Sequence, residues 1–468
     1  MQKKSIKQYF FPAALLLTAL LAASCKKLIQ IPASPPTQIS EKDQYADSAS
    51  AMGAIAWVYT YAAGTVSGVP YENGELVTSV GLSSDELVQP QPYDAYMTEF
   101  YNYTLTPING DLDEIWAEPY TSLYAVNDVI ANVTNNANMS ASFRTQITAE
   151  MKVVRAFYYF QLVNLFGGVP VVTGIDYKVN APLPRASVDS VYGQIISDLT
   201  SAQQVLPVDY PSSGHVRPNQ YVADALLAKV YLYRQDWQDA YNMANTVIGS
   251  GTYSLVSDPN LVFLDGSTEA IWQLPTAGTN YVTGDAMNFI PYTAGTIPSY
   301  IATTWLVSAF EPGDLRMTDW LQQTIANGDT VYAPFKYKNL EPATATTTED
   351  YMMIRLAELY LIRAEASAES GNGAAALADV NVVRARAGLA ASTANPANQA
   401  AVLAAIMHER QVEMFTEWGS RWYDLKRTGL AATVLGAEKT GFSPTAELYP
   451  VPQVEQQNDV NLKQNPGY

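Results

Sequence analysis

The sequence predicts a mainly α protein in which helical hairpins form a scaffold and long irregular loop and short-strand insertions interrupt it. From residue 44 onwards, segments with a helical period of apolar residues alternate with stretches rich in Gly, Pro and Asn. Two helical pairs also share a spacing of small residues, with Ala228 and Ala240 in one and Ala364 and Ala376 in the other. This spacing is typical of tetratricopeptide-like units, in which each hairpin leaves an apolar face for its neighbour to cover.

Capping residues, prolines and glycines set the predicted helix boundaries. The helix that ends at Phe166 stops at Gly167-Gly168-Val169-Pro170, because Gly followed by Pro is a strong C-terminal signal. Ser187 provides an N-cap for the next helix. The predicted helices are Asp43–Tyr61, Ile115–Val133, Phe143–Phe166, Ser187–Val205, Asn219–Arg234, Trp237–Ser250, Asp350–Ser370, Ala374–Ala387 and Gln399–Trp418.

Charged residues of opposite sign stand close together in sequence on several of these helices. Such neighbours can form ion pairs along one helix face. We therefore expect local ion pairs and caps at Glu150 with Arg155, Arg355 with Glu358, Glu409 with Arg410, and Arg421 with Asp424.

Two long segments do not follow the helical pattern. Residues 62–113 contain repeated Gly and Pro, and residues 251–349 favour short strands and loops. Loops of this length in a compact protein are usually functional or disordered. Residues 251–349 hold too many aromatic residues for a disordered chain, so we expect this segment to be functional.

The first 24 residues are predicted to be an export signal. Three lysines precede the apolar stretch Phe10–Ala23, which is too short for a comfortable membrane span. The only cysteine, Cys25, follows it in the arrangement of a bacterial lipobox, which predicts lipidation; a soluble secreted protein or a stray Cys is the alternative. Residues 25–43 are polar and Pro-rich, as in a flexible tether. Removal of the signal would take away its three lysines and leave 24 basic and 45 acidic groups, so the net charge would change from −18 to −21.

Composition excludes several classes of function. A nucleic-acid binder needs a basic face, and this chain has a net charge of −18. Two His and one Cys cannot assemble a zinc or iron–sulfur site. One Cys also excludes a structural disulfide within the chain. We expect no cofactor and no metal, although calcium, which takes oxygen ligands from loops, would need no His or Cys.

Eight short motifs follow one another along nearly the whole chain, and each is weak alone. The motifs are Ser84-Asp85-Glu86, Trp116 with Tyr120, Tyr124, Asn127 and Ile130, residues 150–170, Arg217-Pro218 with residues 225–232, residues 355–366, residues 380–388, residues 409–413 with 421–427, and residues 448–452 with 465–468. Together and in this order they resemble the SusD/RagB family of outer-membrane lipoproteins from Bacteroidetes.

The resemblance implies a SusD-like fold and a non-catalytic role. Members of this family bind glycans, less often peptides, on the outer face of the outer membrane and pass them to a SusC-like TonB-dependent transporter. The chain would then comprise a signal (1–24), a lipidated Cys and tether (25–43) and a single SusD-like domain (44–468). Within that domain we expect an N-terminal part (44–210), a helical hairpin (211–250), an irregular insertion (251–349) and a C-terminal part (350–468). Surface lipoproteins of this phylum often carry acidic residues after the Cys, whereas Lys26 and Lys27 stand there in this chain.

The ligand-binding residues are expected among the aromatic residues of the two insertions. Sugar rings have an apolar face that packs on exposed aromatic rings, which supply contact area at low entropy cost. The alternative for any single Tyr is a half-buried packing role, and the aromatic residues at helical core spacing, such as Trp116 and Trp422, are interpreted as core. The predicted ligand contacts are Tyr93, Tyr96, Tyr281, Tyr292 and Trp305.

Three other functions remain open from the sequence. A peptide-binding member of the same family would use the same insertions. A helical-repeat scaffold would recruit a protein partner without binding sugar. A glycoside hydrolase would need two carboxylates placed across a cleft, which a chain with 45 acidic residues could supply.

Overall fold

The computed structural model describes residues 39–62, 74–276, 282–291, 293, 296–326, 328–340 and 348–468. In this part of the chain the predicted mainly α class is confirmed. The helices are α1 (Glu41–Gln44), α2 (Ser48–Ala62), α3 (Leu76–Ser83), α4 (Ala95–Asn102), α5 (Gly110–Thr134), α6 (Ala141–Phe166), α7 (Tyr177–Asn180), α8 (Val188–Gln203), α9 (Gln220–Tyr233), α10 (Trp237–Gly249), α11 (Gly284–Phe289), α12 (Thr304–Ala309), α13 (Leu315–Asp319), α14 (Leu356–Glu369), α15 (Gly373–Arg386), α16 (Gln399–Glu413), α17 (Ser420–Arg427), α18 (Ala431–Glu438) and α19 (Gln453–Asn458).

In the part of the chain that the structure describes, six short strands pair as three separate two-stranded antiparallel ribbons. The pairs are β1 with β3, β2 with β6, and β4 with β5. The strands are β1 (Leu87–Val88), β2 (Ala270–Pro275), β3 (Ile301–Ala302), β4 (Leu321–Ala326), β5 (Asp329–Pro334) and β6 (Asp350–Arg355).

The long helices pack against one another in an almost continuous series. Neighbouring members in space are α5, α6, α8, α9, α10, α14, α15 and α16, in that order. The small residues that the spacing singled out are fully buried: Ala228, Ala240, Ala364 and Ala376. Small side chains at these positions let the paired helices approach closely. The main core cluster runs from Tyr45 to Leu462, so the insertions share it with the helices.

Side-chain caps explain where the long helices begin. Ser140 accepts a hydrogen bond from the backbone N–H of Phe143, and Ser187 does the same for Ser190. Helix α6 ends at Gly167, whose φ of 74° suits a residue without a Cβ. The capping and glycine signals in the sequence therefore place these ends within about two residues, the usual uncertainty of helix boundaries.

Three segments differ from the predicted helices. The predicted helix Asp43–Tyr61 is interrupted, because α1 ends at Gln44 and α2 begins at Ser48. Residues Asp350–Arg355 form β6 and not the start of a helix, because both faces of this apolar run are buried against β2 and the core. A short, fully buried apolar run has no period that separates strand from helix. Helix α16 ends at Glu413, and Thr416 and Trp418 beyond it have positive φ values that no α-helix accommodates.

Helices α3 and α4 form inside the first insertion, although its glycines and prolines predict none. Every residue of α3 is buried, and Gly81 within it lies against the side chain of Leu87. Packing against the core stabilises this helix in spite of its weak intrinsic propensity.

The expected local ion pairs are wrong in detail, because the partners are distant in sequence. Glu150 pairs with Arg217 and Arg155 with Asp198, each at 2.7 Å. The carboxylate of Asp85 receives Nε and Nη2 of Arg421 at 2.7 and 2.6 Å. These bonds tie helices and strands together across the fold.

Candidate functional site

The two insertions meet at the β1–β3 ribbon. Leu87 pairs with Ala302 and Val88 with Ile301. The N–H of Thr303 donates to the carbonyl of Glu86 at 2.9 Å, which extends this pairing by one residue. Residues more than 200 positions apart are thereby held side by side, and aromatic side chains surround the ribbon.

Tyr93 and Tyr96 form an exposed patch on the first insertion, with 63% and 47% of their surfaces accessible. The carboxylate of Asp94 caps α4 by accepting from the backbone N–H of Tyr96 at 3.0 Å. The ring of Tyr96 lies against Gly110, where a Cβ would come within 3.0 Å of it. Asn109 donates from its amide to the carbonyl of Tyr96 at 3.0 Å. Backbone bonds on both sides therefore hold Tyr96 in place while its ring stays accessible.

Trp305 lines a pocket of about 270 Å³ on the second insertion, together with Tyr101 and Tyr332. All three rings are half-buried. Trp305 stands in the first turn of α12, which Thr303 caps by accepting from the N–H of Leu306 at 3.1 Å. Tyr332 comes from β5, whose hairpin with β4 lies against β3. The pocket thus has aromatic walls from α4, α12 and β5.

The predicted residues fall into three groups. Tyr93 and Tyr96 are both accessible, and Trp305 lines the pocket, whose walls include neither of them. Tyr281 and Tyr292 lie outside the described residues, as does Cys25.

Sequence reasoning missed Tyr332 as a wall of the pocket. Its signal is weak: an aromatic residue in a short Thr- and Val-containing strand within the insertion. Conversely, Trp272, Tyr300 and Trp320 of the same insertion are buried in the core, so composition alone does not identify the ligand face.

Carboxylates surround the exposed patch. Burial is the largest cause of the raised pKa of Asp111, which is about 6, and the negative charges of Asp94 and Glu114 add to it. Burial, followed by Tyr93 and Asp94, also raises the pKa of the Tyr300 hydroxyl. The negative potential of this edge disfavours anionic ligands. Within the described residues, no group of three or more His, Cys, Asp or Glu is placed to hold a metal ion.

One basic group lies beside the pocket. Nζ of Lys439 is 4.3 Å from the ring centre of Tyr101 and donates to the carbonyl of Leu82. Burial lowers the pKa of Lys439 to about 7. Nζ of Lys439 therefore faces the Tyr101 ring and the backbone, not the interior of the pocket.

Two family models match the chain. One, described as starch-binding associating with outer membrane, matches residues 40–232, and the other, described as the SusD family, matches residues 317–468. The chain belongs to the SusD/RagB family. These matches place it in an outer-membrane-associated family and leave residues 233–316, with much of the second insertion, between them.

Known relatives of this SusD-like chain agree with the models. SusD-like protein P2 from Formosa agariphila is 27% identical to this chain, and the match covers 79% of this chain and 83% of that protein. A SusD superfamily protein from Bacteroides vulgatus has the same fold, with a TM-score of 0.79 at 22% identity over 91% of this chain and all of the other. A laminarin-binding SusD-like protein has a TM-score of 0.75 at 27% identity, covering 90% of this chain and all of the other. Among the described helices, none combines the length and apolar character needed to cross a bilayer.

Proposed function

We propose that this protein binds glycans without cleaving them at the face where its two insertions meet, and delivers them to a SusC-like TonB-dependent transporter. The observation that supports this proposal is the joining of the exposed Tyr93–Tyr96 patch and the Trp305 pocket by the β1–β3 ribbon. The likeness to a laminarin-binding SusD-like protein supports a glycan as the ligand.

Aromatic rings on rigid supports suit a sugar ligand. Each ring offers an apolar face to a sugar face, and carboxylates and amides at the edge accept or donate bonds to hydroxyl groups. Asp94 and Asn109 stand beside Tyr96, while their own bonds fix the helix that carries it. Because the caps hold the rings before the ligand arrives, little conformational entropy is lost on binding.

The proposal places the protein on the outer face of the outer membrane through a lipid on Cys25. The body would carry a charge of −21 after loss of the signal. A polyanionic body is repelled by an anionic leaflet, so the acyl chains and the transporter would hold it in position.

Titration calorimetry of the purified protein against a glycan panel that includes laminarin tests ligand binding. Tyr93→Ala, Tyr96→Ala and Trp305→Ala should each weaken binding of the active glycan about tenfold, because each removes a stacking surface. Trp57→Ala on α2 is the matched control, since Trp57 is an exposed aromatic residue away from the ribbon. Binding of peptides in place of every glycan would change the ligand class, and binding unaffected by all three changes would overturn the assigned face.

The delivery step has a separate test. A tagged copy of the protein should co-purify a TonB-dependent transporter from detergent-solubilised outer membranes of its own host. Replacement of Cys25 with Ala should release the protein from the membrane, and protein that stays membrane-bound without Cys25 would contradict the lipid anchor. A chain that binds only another soluble protein, and no glycan, would support the scaffold alternative.

A hydrolase is the second candidate, because Asp111 has the raised pKa of an acid catalyst and Asp94 is close to it. Asp94, however, is engaged as the cap of α4. We propose that Asp111 shapes the negative edge and takes part in no cleavage. New reducing ends after incubation with the bound glycan, lost in Asp111→Asn, would establish the hydrolase instead.

A further inference from the structure

The face where the two insertions meet, which carries Tyr93, Tyr96 and Trp305, is called the insertion face. A second pocket, separate from the insertion face, lies between helix α5, residues 170–183 and the C-terminal segment 455–462. Its volume is about 380 Å³. Trp116 and Tyr120 of α5 contribute to its floor, and neither Tyr93, Tyr96 nor Trp305 lines it. Gly110, at the start of α5, lies against Tyr96, and Trp116 is the first residue of α5 that lines the pocket. Because an α-helix rises 1.5 Å per residue, these two positions are about 9 Å apart along α5.

Two tyrosines stand at the rim of this pocket with most of their surfaces accessible. Tyr124 is 56% exposed and Tyr177 is 71% exposed. By contrast, Trp116 below them is 2% exposed and packs edge-on against Phe166 at 4.8 Å. The rim rings thus lie outside the core, as flat apolar surfaces above an apolar floor.

The walls of the pocket are held by hydrogen bonds that do not involve the rim rings. Tyr120 donates to the carbonyl of Pro170 at 2.9 Å, and Asn127 donates to the carbonyl of Val172 at 3.0 Å. Asn461 donates to the carbonyl of Pro182 at 3.0 Å, which joins the C-terminal segment to the loop. The pocket is therefore formed before any ligand arrives, which lowers the entropy cost of binding.

The polar groups at the pocket edge indicate the charge of the ligand. Asn180, Glu455, Asn458 and Asp459 supply carboxylates and amides, and the described residues that line the pocket include no Lys, Arg or His. Outside this lining, Nζ of Lys178 stands 5.9 Å from the ring centre of Tyr177 at the rim. Acceptors and amides beside aromatic faces match the hydroxyl rim and apolar face of a sugar. The carboxylates repel sulfate and uronate groups.

We infer that this pocket is a second saccharide subsite, selective for neutral sugars and independent of the insertion face. The inference extends the proposed function to a second location, because it requires this protein to encounter glycans. Both sites lie along α5, so one long glycan could occupy the two together and gain affinity through effective concentration.

Hydrogen exchange measured by mass spectrometry on the full protein tests the second subsite. Laminarihexaose and maltohexaose are the neutral probes, and tetragalacturonic acid is the anionic one. A neutral probe should protect residues 170–183 and α19, and this protection should persist in a Tyr93→Ala/Tyr96→Ala/Trp305→Ala variant. Tyr124→Ala/Tyr177→Ala should abolish it and weaken the binding of that probe at this site about tenfold.

Val179→Ala is the matched control, because Val179 is 59% exposed on α7 but does not line the pocket. It should leave the protection unchanged, and thermal unfolding should show that the double tyrosine variant remains folded. If no neutral probe protects residues 170–183 while the insertion-face triple variant loses binding, the second subsite is wrong and the proposed function stands. If the neutral probe protects residues 170–183 and the insertion-face triple variant binds the probe as tightly as wild type, the insertion face is wrong and the second subsite stands. Equal protection by tetragalacturonic acid would overturn the selectivity for neutral sugars.

Discussion

Glu86 shows how one residue of the Ser84-Asp85-Glu86 motif responds to its surroundings. Its side chain is 2% exposed, and Oε1 accepts from the N–H of Thr416 at 3.3 Å. Burial, followed by the negative charge of Asp85, raises the pKa of Glu86 to about 8, and Arg421 only partly opposes this shift. Asp85 takes the bidentate bond of Arg421, which leaves Glu86 as the carboxyl without a strong cationic partner.

The raised pKa of Glu86 predicts a pH-dependent stability. Between about pH 4.5 and pH 8 the folded protein holds a proton on Glu86 that the unfolded chain has lost. The contribution of Glu86 to stability is therefore largest below pH 4.5 and falls as the pH rises towards 8. Glu86→Gln, which is neutral throughout, should raise the free energy of unfolding at pH 8.5 by on the order of 2–4 kcal/mol and change it little at pH 4.5.

Urea unfolding of both proteins at pH 4.5 and pH 8.5 measures this difference. Glu114→Gln is the control, because Glu114 is an exposed acidic residue on α5. If Glu86→Gln raised the free energy of unfolding equally at both pH values, the shape of the side chain, and not the charge of Glu86, would account for the difference.

At the level of elements, the junction between α6 and the following loop depends on a close backbone approach. Gly168 follows the helix end, and the N–H of Ala186 donates to the carbonyl of Val169 beside it at 3.0 Å. A Cβ on Gly168 would overlap the carbonyl oxygen of Ala186. Arg185 secures the same junction by donating to the carbonyl of Gly168 at 2.6 Å.

We expect Gly168→Ala to lower the free energy of unfolding by about 1–3 kcal/mol, because the added methyl must displace backbone. Gly193→Ala in α8 is the matched control, since its Cβ would meet nothing within 4 Å. That change should stabilise the protein by about 0.5–1 kcal/mol through the helix propensity of Ala. Thermal unfolding of the two variants decides the point, and equal melting temperatures would contradict the close approach.

At the level of the whole molecule, a buried ionic cluster joins elements that are far apart in sequence. Glu413 at the end of α16 contacts Arg355, Arg316 and Arg386, which come from β6, α13 and α15. Arg355 also reaches Glu269 before β2 at 2.9 Å. All these side chains are at most 3% exposed. The cluster connects the second insertion to the helical scaffold.

Glu413→Gln should destabilise the protein strongly at pH 7, by about 3–5 kcal/mol, because three buried guanidinium groups lose a shared counter-charge. Burial by itself would raise the pKa of Glu413, but the three arginines outweigh burial and hold the pKa well below 4.5. The ionised Glu413 side chain therefore makes its full contribution to the free energy of unfolding above pH 4.5. This contribution is lost as the pH falls from 4.5 through the lowered pKa of the folded protein.

Urea unfolding at pH 7 and at pH 3 tests the cluster, and the difference between variant and wild type should be smaller at pH 3. Asp189→Asn is the control, because the Asp189–Arg234 pair is exposed and should contribute less than about 1 kcal/mol. A loss for Glu413→Gln as small as that of the control would contradict a structural role for the cluster.

The sequence by itself determined the helical scaffold of this protein. Periodic apolar residues, the Ser187 cap and the Gly167–Pro170 stop are local signals, and local signals fix where helices begin and end. The order of short motifs also identified the family, and the aromatic composition of the insertions predicted Tyr93, Tyr96 and Trp305 as candidates.

Tertiary structure alone decided which charges pair and which aromatic residues are accessible. Arg355 stands three residues from Glu358 in sequence but binds Glu413 and Glu269, and Trp320 is buried while Trp305 lines a pocket. The physical reason is that pairing and burial depend on neighbours brought together by folding, such as β1 and β3 from the two insertions. A helix is encoded by residues three and four positions apart. A binding face is assembled from distant segments, and neither segment's own sequence specifies which other segment it will contact.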